Sequence, residues 1–186
     1  MKTKVLLLLL CLFNGPVNAD QWQDQPADSQ LYFAPSFEGL PINGEFRQFV
    51  VNMVSDQNLQ PEALSVKVQI ASADLGSSDL NEAIQMVDWF DSQSFAEASF
   101  TSEQIVATEG DNQFIARGRL SLKSANKTIQ VPFSWQPSAD GSIKMLGELQ
   151  LDRGDFAIGS GEWSSGDQIG LAVRVWFDIN LVSAGD

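Results

Sequence analysis

The chain contains no histidine, and that single absence removes a large share of enzyme chemistry. Without imidazole there is no Ser-His-Asp or Cys-His pair and no histidine-ligated metal or haem. Cysteine is almost as scarce: Cys11 stands alone, so the chain has no disulfide of its own. Tyrosine occurs once, which is unlike the tyrosine-rich surfaces common in recognition patches. Positive charge is thin, with 11 Lys and Arg against 24 Asp and Glu and a net charge of −13. That balance argues against nucleic acid or an anionic membrane surface as partner. No internal repeat or low-complexity stretch stands out. What is present is 186 residues that are 44% hydrophobic, enough for one domain with a sizeable core.

The first 19 residues read as a secretory signal peptide. Lys2 and Lys4 supply the positive end, residues 5–13 a short apolar run, and Gly15-Pro16 a break before Val17-Asn18-Ala19. The run is too short to span a bilayer as a stable helix. Leu10 before Cys11 is too bulky for a lipoprotein signal. Cleavage after Ala19 would remove Lys2, Lys4 and Cys11, leaving an exported, still more acidic chain without cysteine. Residues 20–29 are polar and lack periodicity, and they read as a flexible lead to a domain over 30–183.

Within that domain apolar and polar residues alternate with period two, the signature of strands with one apolar face. The inward sets are Leu64, Val66, Val68, Ile70; Phe114, Ala116, Gly118, Leu120, Leu122; Ile129, Val131, Phe133, Trp135; Ile143, Met145, Gly147, Leu149, Leu151; and Leu171 through Leu181 at alternate positions. Turn residues Gly110-Asp111-Asn112, Ser124-Ala125-Asn126 and Ala139-Asp140-Gly141 separate successive runs and favour antiparallel hairpins. Pro132 falls in a polar set, so its strand is expected at an edge or interrupted there. Residues 77–90 break the pattern. Leu80, Ile84 and Val87 lie at helical spacing behind Ser77 or Ser78 as cap. The expected fold is all-β: an antiparallel barrel of about eight strands, apolar inside and wet outside, with one short helix.

Catalytic motifs are missing. Gly159-Ser160-Gly161 lacks a third glycine, and Gly161 to Gly166 has no P-loop lysine behind it. Asp74, Asp79 and Glu82 could crowd a calcium ion, but acidic turn residues are usually just solvated. Asn126-Lys127-Thr128 matches a glycosylation sequon, which matters only in a eukaryotic secretory pathway. Carboxylate pairing among so many acids carries no information. The remaining signal is 12 Phe and 5 Trp, mostly on inward faces. These either fill a core or line a cavity, since an eight-stranded barrel can hold one small ligand. Small residues at inward positions (Ala116, Gly118, Gly147) either leave room or mark tight packing.

Four stretches, residues 87–105 (VDWFDSQSFAEASFTSEQI), Gly44 to Phe49, Gly118 to Pro132 and residues 153–163 (RGDFAIGSGEW), together resemble the YceI-like family. Residues 87–105 (VDWFDSQSFAEASFTSEQI) are similar to its W/F-F-D-…-F-P-x-A-x-F-x-S pattern, with Ala96 where Pro is common. Gly44 to Phe49 is similar to an early G-x-F-x-x-F, and Gly118, Leu120, Lys127 and Pro132 to its glycine-bearing hairpin. Residues 153–163 (RGDFAIGSGEW) resemble R-x-D-F-G-I-G-x-G-x-W, with Ala157 where the family often has Gly. The final strand resembles its V-x-V-x-V. Ser36-Phe37-Glu38 stands where many members have a histidine.

The resemblance implies an extended lipocalin-like barrel whose apolar tunnel holds an isoprenoid chain, such as a polyprenyl phosphate or a ubiquinone-like quinone. It implies export to the periplasm and no catalytic activity. It implies no cofactor or metal beyond such a bound lipid or quinone. The tunnel lining expected on these grounds is Phe46, Phe49, Val66, Val68, Phe100, Phe114, Leu120, Phe133, Met145, Leu149, Val173, Val175 and Phe177. Trp89, Phe90, Phe95, Phe156 and Trp163 are expected at its mouth or as a plug. Arg153 is the candidate for a head-group contact, a guanidinium having several fixed donors; a salt bridge to Asp152 or Asp155 is the competing role. The alternative function is a ligand-free module that partners a membrane redox protein of the cytochrome b561 type. Exposed edges are compatible with a monomer or a homodimer.

Overall fold

The computed structural model describes residues 19–185. The expected leader lies outside them except for Ala19. The described residues form thirteen strands, one α-helix and three 3-10 turns. The strands are β1 (Asp20–Asp24), β2 (Gln30–Ala34), β3 (Ser36–Phe37), β4 (Leu40–Pro41), β5 (Gly44–Phe46), β6 (Phe49–Ser55), β7 (Pro61–Gln69), β8 (Ala73–Asp74), β9 (Glu97–Ala107), β10 (Gln113–Leu122), β11 (Ala125–Pro137), β12 (Ile143–Asp152) and β13 (Ala172–Ser183). Helix α1 is Ser78–Ile84. Eight of the strands close a ring in the order β1-β6-β7-β9-β10-β11-β12-β13, with β13 returning to β1. Every neighbouring pair is antiparallel. The expected all-β barrel with one short helix is therefore the fold.

Closure depends on a segment expected to be a flexible lead. β1 lies between β6 and β13, with Trp22 opposite Met53 on one side and Ser183 on the other. Trp22 is buried, meets Trp135 edge-on at 6.2 Å and donates its indole N–H to Ser55 Oγ at 2.9 Å. Beyond β1 the chain is still held: Gln25 N bonds Asn180 O, and Ser29 exchanges bonds with the Asn180 backbone. A five-residue strand with one apolar residue shows no period of its own. Pairing with strands far along the chain makes it a strand.

β2 pairs with the N-terminal half of β13 and carries β5 and then β8 on its other edge. The β3–β4 hairpin and the loop after β12 meet at Phe37 and Ile169. The turn between β10 and β11 lies one residue earlier than expected. Leu122 pairs with Ala125, leaving Lys123 and Ser124 at the tip, with Lys123 at φ 51°.

Pro132 interrupts a ladder without being at an edge. β11 has a neighbour on both sides, yet its pairing with β12 covers only Phe133 to Pro137 against Gly147 to Ile143. Trp135 N bonds Asn112 O on the β10 side. Alternation then turns the Pro132 nitrogen toward β12, where it has no hydrogen to give.

The inward small residues mark close packing. A Cβ on Gly118 would come within 2.2 Å of Thr101 O, beside the bulge where β10 slips against β9. One on Gly147 would strike the Phe177 ring at 2.2 Å.

The helix is shorter than its sequence pattern. α1 ends at Ile84, which is buried, whereas Leu80 is 40% and Val87 68% exposed. Ser77 occupies the cap position without a side-chain bond to the helix. Asp91, at a positive φ of 49°, donates its N–H to Met86 O and turns the chain back. Trp89 and Phe90, not Val87, then face the barrel.

Candidate ligand-binding cavity

The barrel interior is filled at one end and hollow toward the other. The filled end is a layer of large side chains: Phe114 stacks on Phe133 at 5.7 Å, and Trp135, Ile143, Met145, Ile179 and Leu181 are each almost wholly buried. The register explains the floor. Phe114 faces Phe133, Phe133 faces Gly147, and Gly147 faces Phe177, so the missing Gly147 side chain admits the Phe177 ring. Beyond this layer lies a cavity of about 210 Å³, well over ten times the roughly 10–15 Å³ that one water needs. Its lining is aliphatic and aromatic except for Ser99 and Arg153.

Of the expected tunnel residues, Phe46, Phe49, Val66, Val68, Phe100 and Leu120 line this cavity from one side, and Met145, Leu149, Val173, Val175 and Phe177 from the other. Trp89, Phe90 and Phe156 line it at the roof. Four expected residues are placed elsewhere. Phe114 and Phe133 lie in the filled layer, below the hollow. Phe95 is half-buried in the loop ahead of β9. Trp163 packs on Trp89 at 6.0 Å, one ring removed from the cavity. Sequence reasoning passed over Leu31, Leu122, Ile129, Val131, Leu151 and Ile158, among others. All but Leu31 and Ile158 belong to alternating sets already recognised, so their inward direction was readable and only their depth was not.

The roof is built from α1 with its following turn and from residues 153–170. Two 3-10 turns, Arg153–Phe156 and Gly161–Trp163, carry this second segment. The segments are tied together: Gly159 N and Ser160 N both bond Asp88 O, and Lys123 Nζ reaches Val87 O and Ala157 O at 2.9 Å each.

Arg153 organises the second segment. It is 3% exposed, and each of its five N–H groups has a backbone carbonyl. Nε donates to Gly170 O at 3.0 Å, Nη1 to Ile158 O at 2.7 Å and Gly159 O at 3.0 Å, and Nη2 to Trp163 O at 2.5 Å and Ile169 O at 2.6 Å. Its guanidinium also sits 5.5 Å from the Trp89 ring centre. The expected ion pair with a neighbouring acid is not made. Asp152 accepts from Gly154 N, and Asp155 pairs with Lys127 at 2.9 Å. As a head-group contact Arg153 has no donor left to offer. Burial holds this guanidinium below its usual pKa, with Asp152 opposing the shift. Gly159 is required here, since a Cβ would come within 2.2 Å of Nη1.

Ala157 closes the first of these turns at φ 52°, in the left-handed region. Alanine is strained there and glycine is not. Ala157→Gly is expected to raise stability by about 0.5–1 kcal/mol in urea unfolding, whereas a loss would show that the turn is not under strain.

A closed antiparallel barrel with a roofed apolar cavity is the architecture of a protein that can hold one small apolar ligand. Among the described residues no cluster of His, Cys, Asp or Glu could hold a metal, and no helix is long and apolar enough to cross a membrane. The profile of the YceI-like domain matches residues 22–181, and the chain belongs to that family. Among solved structures it is similar to BcnA of Burkholderia cenocepacia, at 25% identity and a TM-score of 0.79 over 84% of this chain and 98% of that one. It is also similar to a polyisoprenoid-binding domain from Saccharophagus degradans implicated in plant cell wall breakdown, at 16% identity and a TM-score of 0.71, over 89% of this chain and 99% of that one. The YceI protein of Campylobacter jejuni matches at 17% identity and a TM-score of 0.62, over 75% and 84% of the two chains. No curated protein matches the chain.

Proposed function

We propose that the protein is a non-enzymatic, exported carrier or scavenger that holds an isoprenoid lipid or quinone tail in the barrel cavity, working in the periplasm after cleavage behind Ala19. The observation that carries this reading is the lining: a cavity of about 210 Å³ bounded mainly by Val, Leu, Ile, Phe and Trp, whose only polar side chains are Ser99 and an Arg153 with every donor already held. The driving force is removal of the chain's apolar surface from water, about 25 cal/mol per Å². A tail burying several hundred Å² gains roughly ten kcal/mol gross, before the costs of ordering and lost translation. Family membership and the leader-like N-terminus support the same reading.

The test is native mass spectrometry of the mature chain from its exported compartment, followed by organic extraction and lipid analysis. A stoichiometric adduct with a prenyl fragmentation pattern is expected. A clean apo mass that stays unchanged after incubation with ubiquinone and polyprenyl phosphate overturns the carrier reading. It would move the function to a ligand-free module for a membrane redox partner. The same spectrum reports monomer or dimer.

A further inference from the structure

We infer that the bound lipid carries an uncharged head, a quinone or an alcohol, and that the protein discriminates against the corresponding phosphate. The inference rests on the isoprenoid-carrier reading and narrows it. Two independent observations carry it.

The first is inside the cavity. An anionic head needs donors or a free cation, because desolvating a phosphate without them is prohibitive. Arg153 is the one cation in the lining, and all five of its N–H groups are held by carbonyls of the roof. Freeing any of them leaves a carbonyl unpaired and loosens the segment it organises. Ser99 is the one other polar side chain of the lining, with a single hydroxyl.

The second is outside. A head that protrudes meets the roof and the chain flanking it, residues 70–96 and 152–171. Those two segments contain nine carboxylates, among them Asp88, Asp155, Glu162 and Asp167, and Arg153 as their one cation. The neighbouring cations are engaged. Arg47 pairs with Asp74 and Glu45, Lys127 with Asp155, and Lys123 lies on two carbonyls. A phosphate near this surface is repelled over roughly a Debye length, about 10 Å at moderate salt. A quinone or hydroxyl head is indifferent to that field, and its own polar atoms can stay hydrated.

The test compares a polyprenol, its phosphate of the same chain length, and ubiquinone, each titrated into the mature chain and read by tryptophan fluorescence, since Trp89 lines the cavity. The polyprenol and the quinone are expected to bind at least about tenfold tighter than the phosphate, with the gap narrowing as salt rises. In the double variant Glu162→Lys and Asp167→Lys, both exposed positions, the phosphate should gain several-fold while the polyprenol is unchanged. Phosphate binding equal to or tighter than that of polyprenol in the parent chain overturns the inference. A chain that binds none of the three overturns the carrier reading beneath it instead.

Discussion

Arg153→Ala is expected to lower the stability of the mature chain by about 3–5 kcal/mol in urea or thermal unfolding, the range for breaking a buried charged cluster. The magnitude follows from the acceptors. Five carbonyls, those of Ile158, Gly159, Trp163, Ile169 and Gly170, converge on one guanidinium that is almost wholly buried. Removing it strands carbonyls that lie too deep for easy hydration, each costing up to about 1–3 kcal/mol if left unmet. Arg153→Lys should recover only a minority of the loss, because three rotating donors cannot replace five in a fixed plane. Amide exchange should accelerate most over residues 153–170, the segment those bonds hold, and least in the filled layer around Trp135. A variant within about 1 kcal/mol of the parent would mean that the segment is held by its backbone alone, and the organising role given to Arg153 would fall.

The same residue shows where sequence reading reaches its limit. The 153–163 stretch is a recognisable motif, and Arg153 is prominent in it. Its partners, however, are main-chain carbonyls up to 17 positions away, and a carbonyl has no letter in the sequence. A side-chain partner such as Asp152 or Asp155 is visible there, and the competing salt-bridge role rests on nothing more. The long strands were legible for the opposite reason. β10 to β13 run 10 to 13 residues each, so period-two alternation repeats often enough to declare which face is inward. β1 offers five residues and one apolar side chain, too few for any period, and its place in the ring comes from pairing with β6 and β13. Alternation also says nothing about depth. Phe133 and Ile129 belong to one inward set, yet Phe133 lies in the filled layer and Ile129 on the cavity wall. Depth is decided by cross-strand register, through the Phe114, Phe133, Gly147 and Phe177 row, and register becomes readable only when all the pairings are known.

Whether the hollow is a binding site or a tolerated packing fault is decided by filling it. Leu149 lies on the cavity wall opposite Val175 in the β12–β13 pair, and neither side chain is fully buried. Leu149→Trp would extend an indole into the space that a prenyl chain would occupy. In a well-packed core such an enlargement costs about 1–3 kcal/mol. In a hollow one the new ring gains contacts with walls that now have no partner, so stability is expected to hold or rise by up to about 1 kcal/mol. Affinity for a polyprenol or ubiquinone should meanwhile fall by at least about 100-fold, because a ligand and the indole compete for one volume, and the loss equals only about 2.7 kcal/mol of the roughly ten available. The two readouts moving in opposite directions distinguish a cavity kept open for a ligand from an ordinary core position, where both would fall together. If Leu149→Trp is stable and still binds with parental affinity, the chain lies somewhere other than this cavity. If it is strongly destabilised, the space is smaller than its walls suggest, and the carrier reading loses the observation on which it stands.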